Sequence, residues 1–414
     1  MGYTFLTLDD VNVSGKSVLV RVDINSPISP RNGKILDISR MRAIQDTLND
    51  LKSAKVVLLA HQSRPGKSDF TTLKPHAKVL RTLTGGRVRF VEGIFGPAAR
   101  DAIKSTNVGE ILLLENVRFY SEENIEVPPE KLVKTHLVRR LSPYFDLFVN
   151  DAFPAAHRSH PSLVGFAEVL PTVAGRVMER ELNALNKSLN PDRPCAFVIG
   201  GSKVYTKLKI IENILKNGRA DKILVGGLLT HIFLQAIGKD IGKANEKAAG
   251  EYEKLLEHAR RLVKEHESVI EIPIDVGIDK NGKRTDISTD ELPSDYQILD
   301  VGPNTVDKYI DIIKDSQTIV ANGPLGVFER DDFAFGTKKI VEAMAAHNGT
   351  TIVGGGELGA LIYTLGIDRK LSHVSTGGGA TISLLSGEQL PVITALERAS
   401  ERFRKATRKK LKKT

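Results

Sequence analysis

Residues 195–207 read Cys-Ala-Phe-Val-Ile-Gly-Gly-Ser-Lys-Val-Tyr-Thr-Lys and contain a strand, a turn and the start of a helix in succession. The first five residues are apolar and include β-branched valine and isoleucine, which is typical of a buried strand. Two glycines end that run and open a tight turn. A strand followed by such a turn and by helical spacing predicts one unit of an α/β fold.

Units of the same kind recur along most of the chain. Short β-branched runs end in turn residues and are followed by amphipathic segments, such as residues 252–263, whose apolar side chains share one helical face. This alternation predicts parallel sheets covered by helices on both faces, and a dozen strands fit two sheets better than one. The expected fold class is α/β, with two doubly wound, parallel-sheet, Rossmann-like domains joined by a hinge helix. The strands are predicted at residues 17–24, 55–61, 87–92, 110–116, 146–150, 195–200, 221–226, 269–276, 297–301, 318–321, 350–354 and 372–375.

The join between the two domains is expected near residues 171–194. A chain of 414 residues is long enough for two or three domains, each with its own core. A long helical pattern opens at Pro171 and stops before the proline-rich stretch 190–194, because helices accept proline in the first turn and end before a later one. Such a boundary helix can act as a hinge. We expect domains at residues 1–171 and 172–390, followed by a C-terminal segment at residues 391–414.

The net charge of +9 is concentrated at the C-terminus. Residues 402–414 contain eight basic and no acidic side chains, which leaves +1 for the other 401 residues. Such a tail can contact RNA or another anionic surface, but it is also typical of a solvated helix end or a frayed terminus. We favour the second interpretation, so nucleic acid is not an expected partner. The basic residues are Arg402, Arg404, Lys405, Arg408, Lys409, Lys410, Lys412 and Lys413.

A cytoplasmic location is expected. Cys195 is the single cysteine, so the chain forms neither an internal disulfide nor a thiolate metal site, which favours a reducing compartment. Its apolar neighbours predict a core residue rather than a nucleophile. The first ten residues lack the features of a signal peptide. The most apolar stretch, residues 223–237, is interrupted by polar residues and is shorter than the ~20 residues of a membrane span, so no membrane partner is expected.

Basic and hydrogen-bonding residues follow the predicted strands of the first half. Ligands bind at the carboxyl ends of strands in open α/β sheets, and converging arginines suit a small polyanion because guanidinium groups pair with phosphate and carboxylate. Each group has an alternative: Arg21 and Asp23 can form a structural ion pair, and His61 can be a satisfied core histidine. Together the four strand ends favour an anion site. They read Arg21-Val-Asp23-Ile-Asn25, His61-Gln-Ser-Arg64, Glu115-Asn-Val-Arg118 and Asn150-Asp151, the last leading to His157-Arg158.

The predicted strands of the second half end in glycine instead. Glycines between a strand and a helix let backbone N–H groups approach a phosphate at the helix N-terminus. Lys203 and Lys207 follow the first pair one helical turn apart, so both ammonium groups can face one way. A tight βα turn also explains any single one of these glycine segments, but their repetition after five predicted strands favours a nucleotide site. The segments are Ile199-Gly-Gly201, Val225-Gly-Gly227, Asn322-Gly-Pro324, Val353-Gly-Gly-Gly356 and Thr376-Gly-Gly-Gly379.

Several familiar motifs are absent from the sequence. It contains no G-x-x-x-x-G-K-[ST] loop, no D-F-G or H-R-D kinase signature and no H-E-x-x-H zinc motif. Residues 354–359 match G-x-G-x-x-G, but the carboxylate expected ~20 residues later is missing from residues 374–380, which disfavours a nicotinamide dehydrogenase. Three hypotheses stay open: a small-molecule kinase, an oxidoreductase using residues 354–359, and a nucleic-acid binder acting through its tail. Only the kinase accounts for both halves of the chain.

The chain resembles the phosphoglycerate kinase family, and the resemblance extends from about residue 17 to about residue 395. The segment Asp-Ala-Phe-Pro154 is most similar to that of archaeal members. The resemblance implies phosphoryl transfer between 1,3-bisphosphoglycerate and ADP, giving 3-phosphoglycerate and ATP. The shared motifs, in the family's order, are V-L-V-R-V-D-I-N-S-P at 18–27, I-G-G-S-K-V at 199–204, N-G-P-L-G-V-F-E at 322–329 and H-V-S-T-G-G-G at 373–379.

The resemblance also implies roles for individual residues. Residues 1–171 would bind the three-carbon acid and residues 172–390 the nucleotide, with the segment from Pro391 onward returning to the first domain. The acid and its non-reacting phosphate would be held by Asp23, Asn25, Arg40, His61, Arg64, Arg118 and Arg158. The nucleotide would contact Gly201, Lys203, Lys207, Asn322, Pro324, Glu329, Gly354, Gly355, Gly356 and Glu357, with Glu329 at the ribose. Catalysis would involve Arg40, Lys203, Lys207, Gly355 and Gly378, with Arg40 and Lys207 beside the phosphoryl group in transfer.

The implied chemistry, in-line phosphoryl transfer to an anionic acceptor, needs fixed cations rather than a general base. It agrees with a sequence that shows no obvious nucleophile–base arrangement. Mg²⁺ is the expected cofactor, bridging the nucleotide phosphates near Glu357. Two positions depart from the family pattern: Glu357 replaces aspartate, which favours a water-mediated metal contact, and Leu358 replaces a hydroxyl residue and cannot hydrogen-bond a phosphate. We also expect domain closure, since the acyl phosphate must be kept from water.

Overall fold

The structure, a computed structural model, describes residues 4–29, 31–245 and 251–411, and the side chains of residues 251 and 406–411 are left out of the description. The chain divides into two units. Unit 1 comprises Met1–Asn183 and Gln389–Thr414, and unit 2 comprises Ala184–Glu388. Each unit has a six-stranded parallel sheet of its own.

The sheet of unit 1 has the strand β1 near its centre. Its strands are β1 (Ser17–Val22), β2 (Lys55–Leu59), β3 (Val88–Phe90), β4 (Ile111–Leu113), β5 (Leu147–Asp151) and β6 (Thr172–Ala174). They lie in the order β3-β4-β2-β1-β5-β6. The helices are α1 (Ser39–Ala43), α2 (Gln45–Asp50), α3 (Lys74–Leu83), α4 (Pro97–Lys104), α5 (Pro129–Leu132) and α6 (His136–Leu141). Alternate residues of β1, namely Val18, Val20 and Val22, are buried in one apolar cluster with residues of α1, α2 and α3.

Helix α7 (Arg176–Leu189) follows β6, and the division between the units falls inside it. Unit 2 continues with the strands β7 (Cys195–Ile199), β8 (Lys222–Val225), β9 (Ile270–Glu271), β10 (Asp275–Lys280), β11 (Lys283–Ser288), β12 (Ile298–Val301), β13 (Thr318–Asn322), β14 (Thr350–Gly354) and β15 (His373–Val374). Its helices are α8 (Val204–Lys216), α9 (Leu228–Ala236), α10 (Glu251–His266), α11 (Pro303–Asp315), α12 (Phe335–Ala345), α13 (Gly356–Leu365) and α14 (Gly379–Leu385). The parallel sheet has the order β15-β14-β13-β7-β8-β9.

Both faces of the unit 2 sheet are covered, as the sequence predicts. Phe197 packs in an apolar cluster with residues of α8, α9 and α10, whereas its neighbour Val198 packs in a second cluster with residues of α11, α12 and α13. Strands buried on both faces read as continuous apolar runs, which is why they are recognisable in the sequence. The predicted α/β class with parallel sheets is confirmed. Cys195 is fully buried in the first cluster, and burial raises the pKa of its thiol to about 12, so its prediction as a core residue is also confirmed.

The single strand predicted at residues 269–276 is wrong, because two strands of different sheets lie there. β9 belongs to the parallel sheet, whereas β10 pairs with β11 and β12 in a separate antiparallel sheet. The strand β11 was not predicted because its sequence, Lys-Arg-Thr-Asp-Ile-Ser, is mostly polar. A hairpin signal is nevertheless present: Asn281 and Gly282 join β10 to β11 with positive φ angles of 55° and 85°.

The helix predicted to open at Pro171 begins five residues later, at Arg176, because Thr172–Ala174 forms the edge strand β6. Its start is fixed by the side chains of two other elements. Asp151, at the end of β5, accepts hydrogen bonds from the backbone N–H groups of Val177 (2.8 Å) and Met178 (3.1 Å). Thr47 in α2 accepts from the N–H of Arg176 at 2.8 Å and donates to Asp151 at 2.7 Å.

The Asp151 carboxylate is therefore a cap supplied from a distant part of the sequence. It satisfies N–H groups that a helix leaves unpaired in its first turn. Gly175 is required beside it, since a Cβ there would lie 2.4 Å from the carboxyl group. Burial raises the pKa of Asp151 to about 6 despite these hydrogen bonds. No local sequence pattern contains this information, which explains the misplaced start of the helix.

The last helix, α15 (Pro391–Leu411), groups with unit 1 and packs against β6. Val392 N–H donates to the carbonyl of Ala156 at 3.3 Å, and Arg402 forms an ion pair with Glu168 at 3.1 Å. The side chains of residues 401–405 are exposed. Of the basic tail, Lys412 and Lys413 lie outside the described residues. Within the described ranges, none of the helices has the length and apolar character that a membrane crossing requires.

Candidate functional site

The unit 1 candidate site lies where several strands end. Arg21 lies near the end of β1, His61 follows β2, and Arg118 and Arg158 lie in the segments after β4 and β5. Only 1% of Arg21, 5% of His61 and 7% of Arg118 are exposed. Burial and the neighbouring arginine charges lower the pKa values of His61 and Arg118. The structure thus brings these four residues of the strand-end pattern together. Asp151, which the same pattern singled out, instead caps helix α7.

The loop after β1 is joined to α1 and to the loop after β2. Arg40, in α1, donates to Asp23 Oδ1 at 2.8 Å, and the backbone N–H of Asn25 donates to the same oxygen at 3.0 Å. The Asn25 side chain in turn accepts from Ser63 N–H at 2.9 Å. The alternative ion pair of Arg21 with Asp23 is wrong, since Asp23 is bound by Arg40.

The side chain of Arg118 is buried, and its hydrogen-bond donors are only partly satisfied by the protein. One guanidinium nitrogen donates to the carbonyl of Ser63, but its buried Nε has no hydrogen-bond partner among the described residues. Burial, with Arg158 and Arg21 nearby, lowers its pKa to about 10. A charge held this way gains strongly from an arriving anion. Arg158 donates to His157 Nε2 at 3.2 Å, and Arg64 is exposed.

The unit 2 candidate site is formed by glycine-containing loops that rest on one another. Gly201 N–H donates to the carbonyl of Pro324 at 2.7 Å, and Gly227 N–H donates to that of Leu325 at 2.7 Å. A Cβ on Gly200 would lie 2.1 Å from the Pro324 oxygen. These glycines of the loops after β7, β8 and β13 are thus required by loop–loop contact. From the sequence, these glycines could serve either to let backbone N–H groups approach a phosphate or to form a tight turn. The structure adds a third reason, which is the close packing of one loop on another.

Two glycines after β14 and β15, Gly356 and Gly378, differ because they face open space. A Cβ on Gly356 or Gly378 would meet no atom within 4 Å, and Gly355 and Gly378 have φ angles of +109° and +44°. Gly355 immediately precedes the ten-residue helix α13, and Gly378 precedes α14. The N-terminus of α13 is therefore uncovered and can accept an anion. Gly354 is more enclosed, with Thr381 and Asn322 nearby.

Lys207 is the buried cation of unit 2. Only 6% of it is exposed, and its ammonium donates to the Asn322 carbonyl at 2.9 Å and also to the Asn322 side-chain oxygen. The Nδ2 of Asn322 is buried without a partner among the described residues. Burial lowers the pKa of Lys207 to about 8; the nearby Glu357 opposes this shift and Lys203 adds to it. Lys203 is exposed at the residue before α8.

A cavity of about 360 Å³ adjoins these loops and lies entirely within unit 2. Its size is in the range of small-molecule sites. Glu329 and Glu357 are exposed and line it, as do Gly201 and Pro324. The sequence did not predict His231, which lines the cavity and whose Nε2 lies 3.0 Å from the carbonyl of Ile298. No motif marks this histidine; its partner is 67 residues away, so only the fold reveals it.

The two departures at residues 357 and 358 have different structural consequences. Leu358 is 2% exposed and packs in the apolar cluster of α11–α13, so this position serves the core. Glu357 is a lone exposed carboxylate in the first turn of α13. Among the described residues, no group of three or more histidine, cysteine or acidic side chains could hold a metal ion.

The chain is similar to known proteins in both sequence and structure. Residues 8–388 match the family model described as phosphoglycerate kinase. The chain is 48% identical to phosphoglycerate kinase from Methanothermus fervidus, over 97% of this chain and 98% of that one. A second relative, from Methanothermobacter thermautotrophicus, is 48% identical over 96% of this chain and 98% of its own. The crystal structure of phosphoglycerate kinase from Pyrococcus horikoshii superposes with a TM-score of 0.85 at 41% identity, covering 96% of this chain and 99% of that chain.

Gly200→Ala is expected to destabilise unit 2 by about 1–3 kcal/mol, because the added methyl group would force the loops after β7 and β13 apart. Gly356→Ala is the matched control: the methyl group enters open space at a residue of ordinary φ, so stability should be unchanged or slightly higher. Urea unfolding followed by far-UV circular dichroism measures both. Equal stabilities of the two variants would contradict the stacking argument.

Proposed function

The chain belongs to the phosphoglycerate kinase family, and we propose that it reversibly transfers a phosphoryl group from 1,3-bisphosphoglycerate to ADP, giving 3-phosphoglycerate and ATP. One observation carries the proposal beyond family membership. Each unit places a different ligand chemistry at the strand ends of its sheet: a cluster of arginines in unit 1, and stacked glycine loops with a buried lysine in unit 2. A reaction that joins a small polyanion to a nucleotide requires both.

The unit 1 cluster is proposed to bind the glycerate substrate. Arg118 carries an unpartnered buried N–H, and Arg158 and the exposed Arg64 add positive charge for a carboxylate or phosphate. Asp23 and Asn25 supply oxygens suited to the hydroxyl group. His61 would supply a further hydrogen-bonding group, and Arg40, whose side chain donates to Asp23, would contact the reacting phosphoryl group.

The unit 2 loops are proposed to bind ADP or ATP. The cavity beside Gly201 and Pro324 would take the base and ribose, with Glu329 at its exposed edge accepting from a ribose hydroxyl. The uncovered start of α13, with Gly355 and Gly356, would bind phosphates through backbone N–H groups. Lys203 and Lys207 would neutralise their charge. Further contacts are proposed for Asn322, Gly354 and Gly378.

The residues present fit Mg²⁺ in the form in which proteins usually bind it with nucleotides. Glu357, one of the acidic residues that line the cavity, would supply a carboxylate, and phosphate oxygens and waters would complete the coordination. Glu357 would hold the ion directly or through a water. When bound, Mg²⁺ would neutralise charge on the nucleotide phosphates.

Catalysis is proposed to rest on positioning and fixed charge. In-line transfer spreads negative charge over the equatorial oxygens of the phosphoryl group, and both possible acceptors are already anionic, so no side chain needs to remove a proton. Arg40 and Lys207 would stabilise that charge from two sides, and each removal of such a group costs about 3 kcal/mol of transition-state stabilisation. Gly355 and Gly378 would add backbone N–H groups.

Single removal of either cation should therefore slow turnover by about 100-fold. The measurement is the rate at which Arg40→Ala and Lys207→Ala turn over ATP with 3-phosphoglycerate. Arg42→Ala on the same short helix and Lys216→Ala at the end of α8 are matched controls, since both side chains are exposed, and they should keep wild-type rates. Wild-type rates in Arg40→Ala and Lys207→Ala would overturn their proposed roles.

The affinity of the free enzyme for ADP is expected to fall above pH 8. The pKa of Lys207 is lowered to about 8, so its ammonium group is charged below that pH and loses its proton above it. Each further pH unit should then weaken binding by up to about tenfold, because binding must restore the proton. Titration calorimetry from pH 7 to 9.5 measures this. Lys207→Arg stays charged and should flatten the profile; the same decline in both proteins would exclude Lys207 as its cause.

The two units are proposed to close about the segment 171–194 when both substrates are bound. The acyl phosphate must be protected from hydrolysis, and residues assigned to separate units must reach one phosphoryl group. The proposed functional domains are residues 1–171 and 172–390, with residues 391–414 completing the first, and the protein is proposed to act in the cytoplasm without membrane or nucleic-acid partners. Small-angle scattering should show a smaller radius of gyration with both ligands than with either alone. An unchanged radius would count against closure.

A further inference from the structure

We propose that Arg21, which is too deeply buried to contact a substrate, is a positioning residue that holds His61 as the neutral tautomer protonated on Nε2. The inference concerns the same site as the proposed function and depends on it only for its effect on substrate binding. His61 would then present an N–H donor, rather than a cation, to the glycerate substrate.

Each of the three guanidinium nitrogens of Arg21 contacts a protein atom. Its Nε donates to Ser162 Oγ at 2.8 Å, one terminal nitrogen donates to the carbonyl of Val22, and the other lies 3.1 Å from His61 Nδ1. Only 1% of the residue is exposed. These contacts fix the position of the guanidinium group and that of the His61 ring.

The contact between Arg21 and His61 determines where the imidazole proton resides. A guanidinium group can only donate hydrogen bonds, so His61 Nδ1 must accept, and an accepting ring nitrogen carries no proton. In the neutral ring the proton is then on Nε2. A protonated ring would direct two N–H groups at one another across 3.1 Å, which excludes the imidazolium form while Arg21 stays in place.

A buried carboxylate holds Arg21 in turn. Glu123 is fully buried, accepts from Ser162 Oγ at 2.5 Å and from Ser162 N–H at 3.0 Å, and lies 4.0 Å from the Arg21 guanidinium. The sequence of contacts therefore runs from Glu123 through Ser162 and Arg21 to His61. A carboxylate without a direct contact to the substrate site serves here to orient a hydrogen-bond donor within it.

The charged groups around His61 act in the same direction as the Arg21 contact. Arg21, Arg118, Arg158 and Arg40, from β1, the segments after β4 and β5, and α1, all face it with positive charge. Burial and these four cations hold the pKa of His61 well below its usual range. His61 is therefore neutral throughout the physiological pH range, and its part in binding an anion does not change with pH.

The experiment is nitrogen NMR of the full chain with ¹⁵N-labelled histidine rings, free and with sulfate as a probe whose charge is constant. The His61 signals are assigned by their loss in His61→Gln. We expect Nε2 to be protonated and Nδ1 unprotonated from pH 5.5 to 8.5, with no titration. A proton on Nδ1, or titration with a pKa near 6.5, would overturn the proposal.

The double variant Arg21→Met/Glu123→Gln tests the cause of this state. It removes both charges together, because a buried carboxylate left without its cation is strongly destabilising. The His61 ring should lose its single tautomer and its pKa should rise, while KM for 3-phosphoglycerate rises about tenfold with kcat less affected. Unchanged His61 signals in the folded variant would overturn the proposal.

Arg87→Met is the matched control, since Arg87 is another partly buried arginine of unit 1 that donates to the carbonyls of Thr84 (3.2 Å) and Leu48 (3.4 Å). It should leave the His61 signals unchanged. If the double variant does not fold, the wild-type spectrum decides alone. The spectra need no substrate, so absence of turnover in the wild-type protein would overturn the proposed function while leaving the tautomer assignment intact.

Discussion

Parallel strand direction is the constraint on which both candidate sites depend. When every strand of a sheet points the same way, the segments that follow the strands meet at one edge, however far apart they are in sequence. In unit 1 this brings Arg21, His61, Arg118 and Arg158 within electrostatic range of one another. In unit 2 it lets the loops after β7, β8 and β13 rest on one another through backbone hydrogen bonds. The chemistry of each unit thus follows directly from its topology.

The same convergence creates an electrostatic cost that a ligand can relieve. Arg118 and Lys207 are buried cations whose pKa values are lowered, to about 10 and about 8, mainly by burial. The protein compensates them only in part, through Glu123 in unit 1 and through Asn322 in unit 2. Anionic substrates would supply the missing charge. Arg21 is a further buried cation, held by contacts of all three guanidinium nitrogens and by Glu123 at 4.0 Å.

The sequence predicts features that depend on neighbouring residues, and it does not predict contacts between segments that are far apart in the chain. Most strands of the two parallel sheets are buried apolar runs, so they were predictable, and the residues following them could be named as candidates. The short edge strand β6 was not predicted, because it lies inside the helical pattern that opens at Pro171. The hairpin of β10 and β11 was missed although Asn281 and Gly282 carry its turn signal. The cap of α7 by Asp151 and the partner of Arg21 were beyond sequence reasoning, because both join segments far apart in the chain.

The stacked glycine loops have a consequence for how this protein tolerates sequence drift. The N–H groups of Gly201 and Gly227 are fixed by carbonyls of a neighbouring loop, that is, by backbone alone. Exchanges among surrounding side chains leave such a frame intact, whereas adding a single methyl group to one of its glycines disturbs it. The backbone frame formed by the loops after β7, β8 and β13 should therefore persist, while the side chains that line the adjoining cavity diverge between lineages.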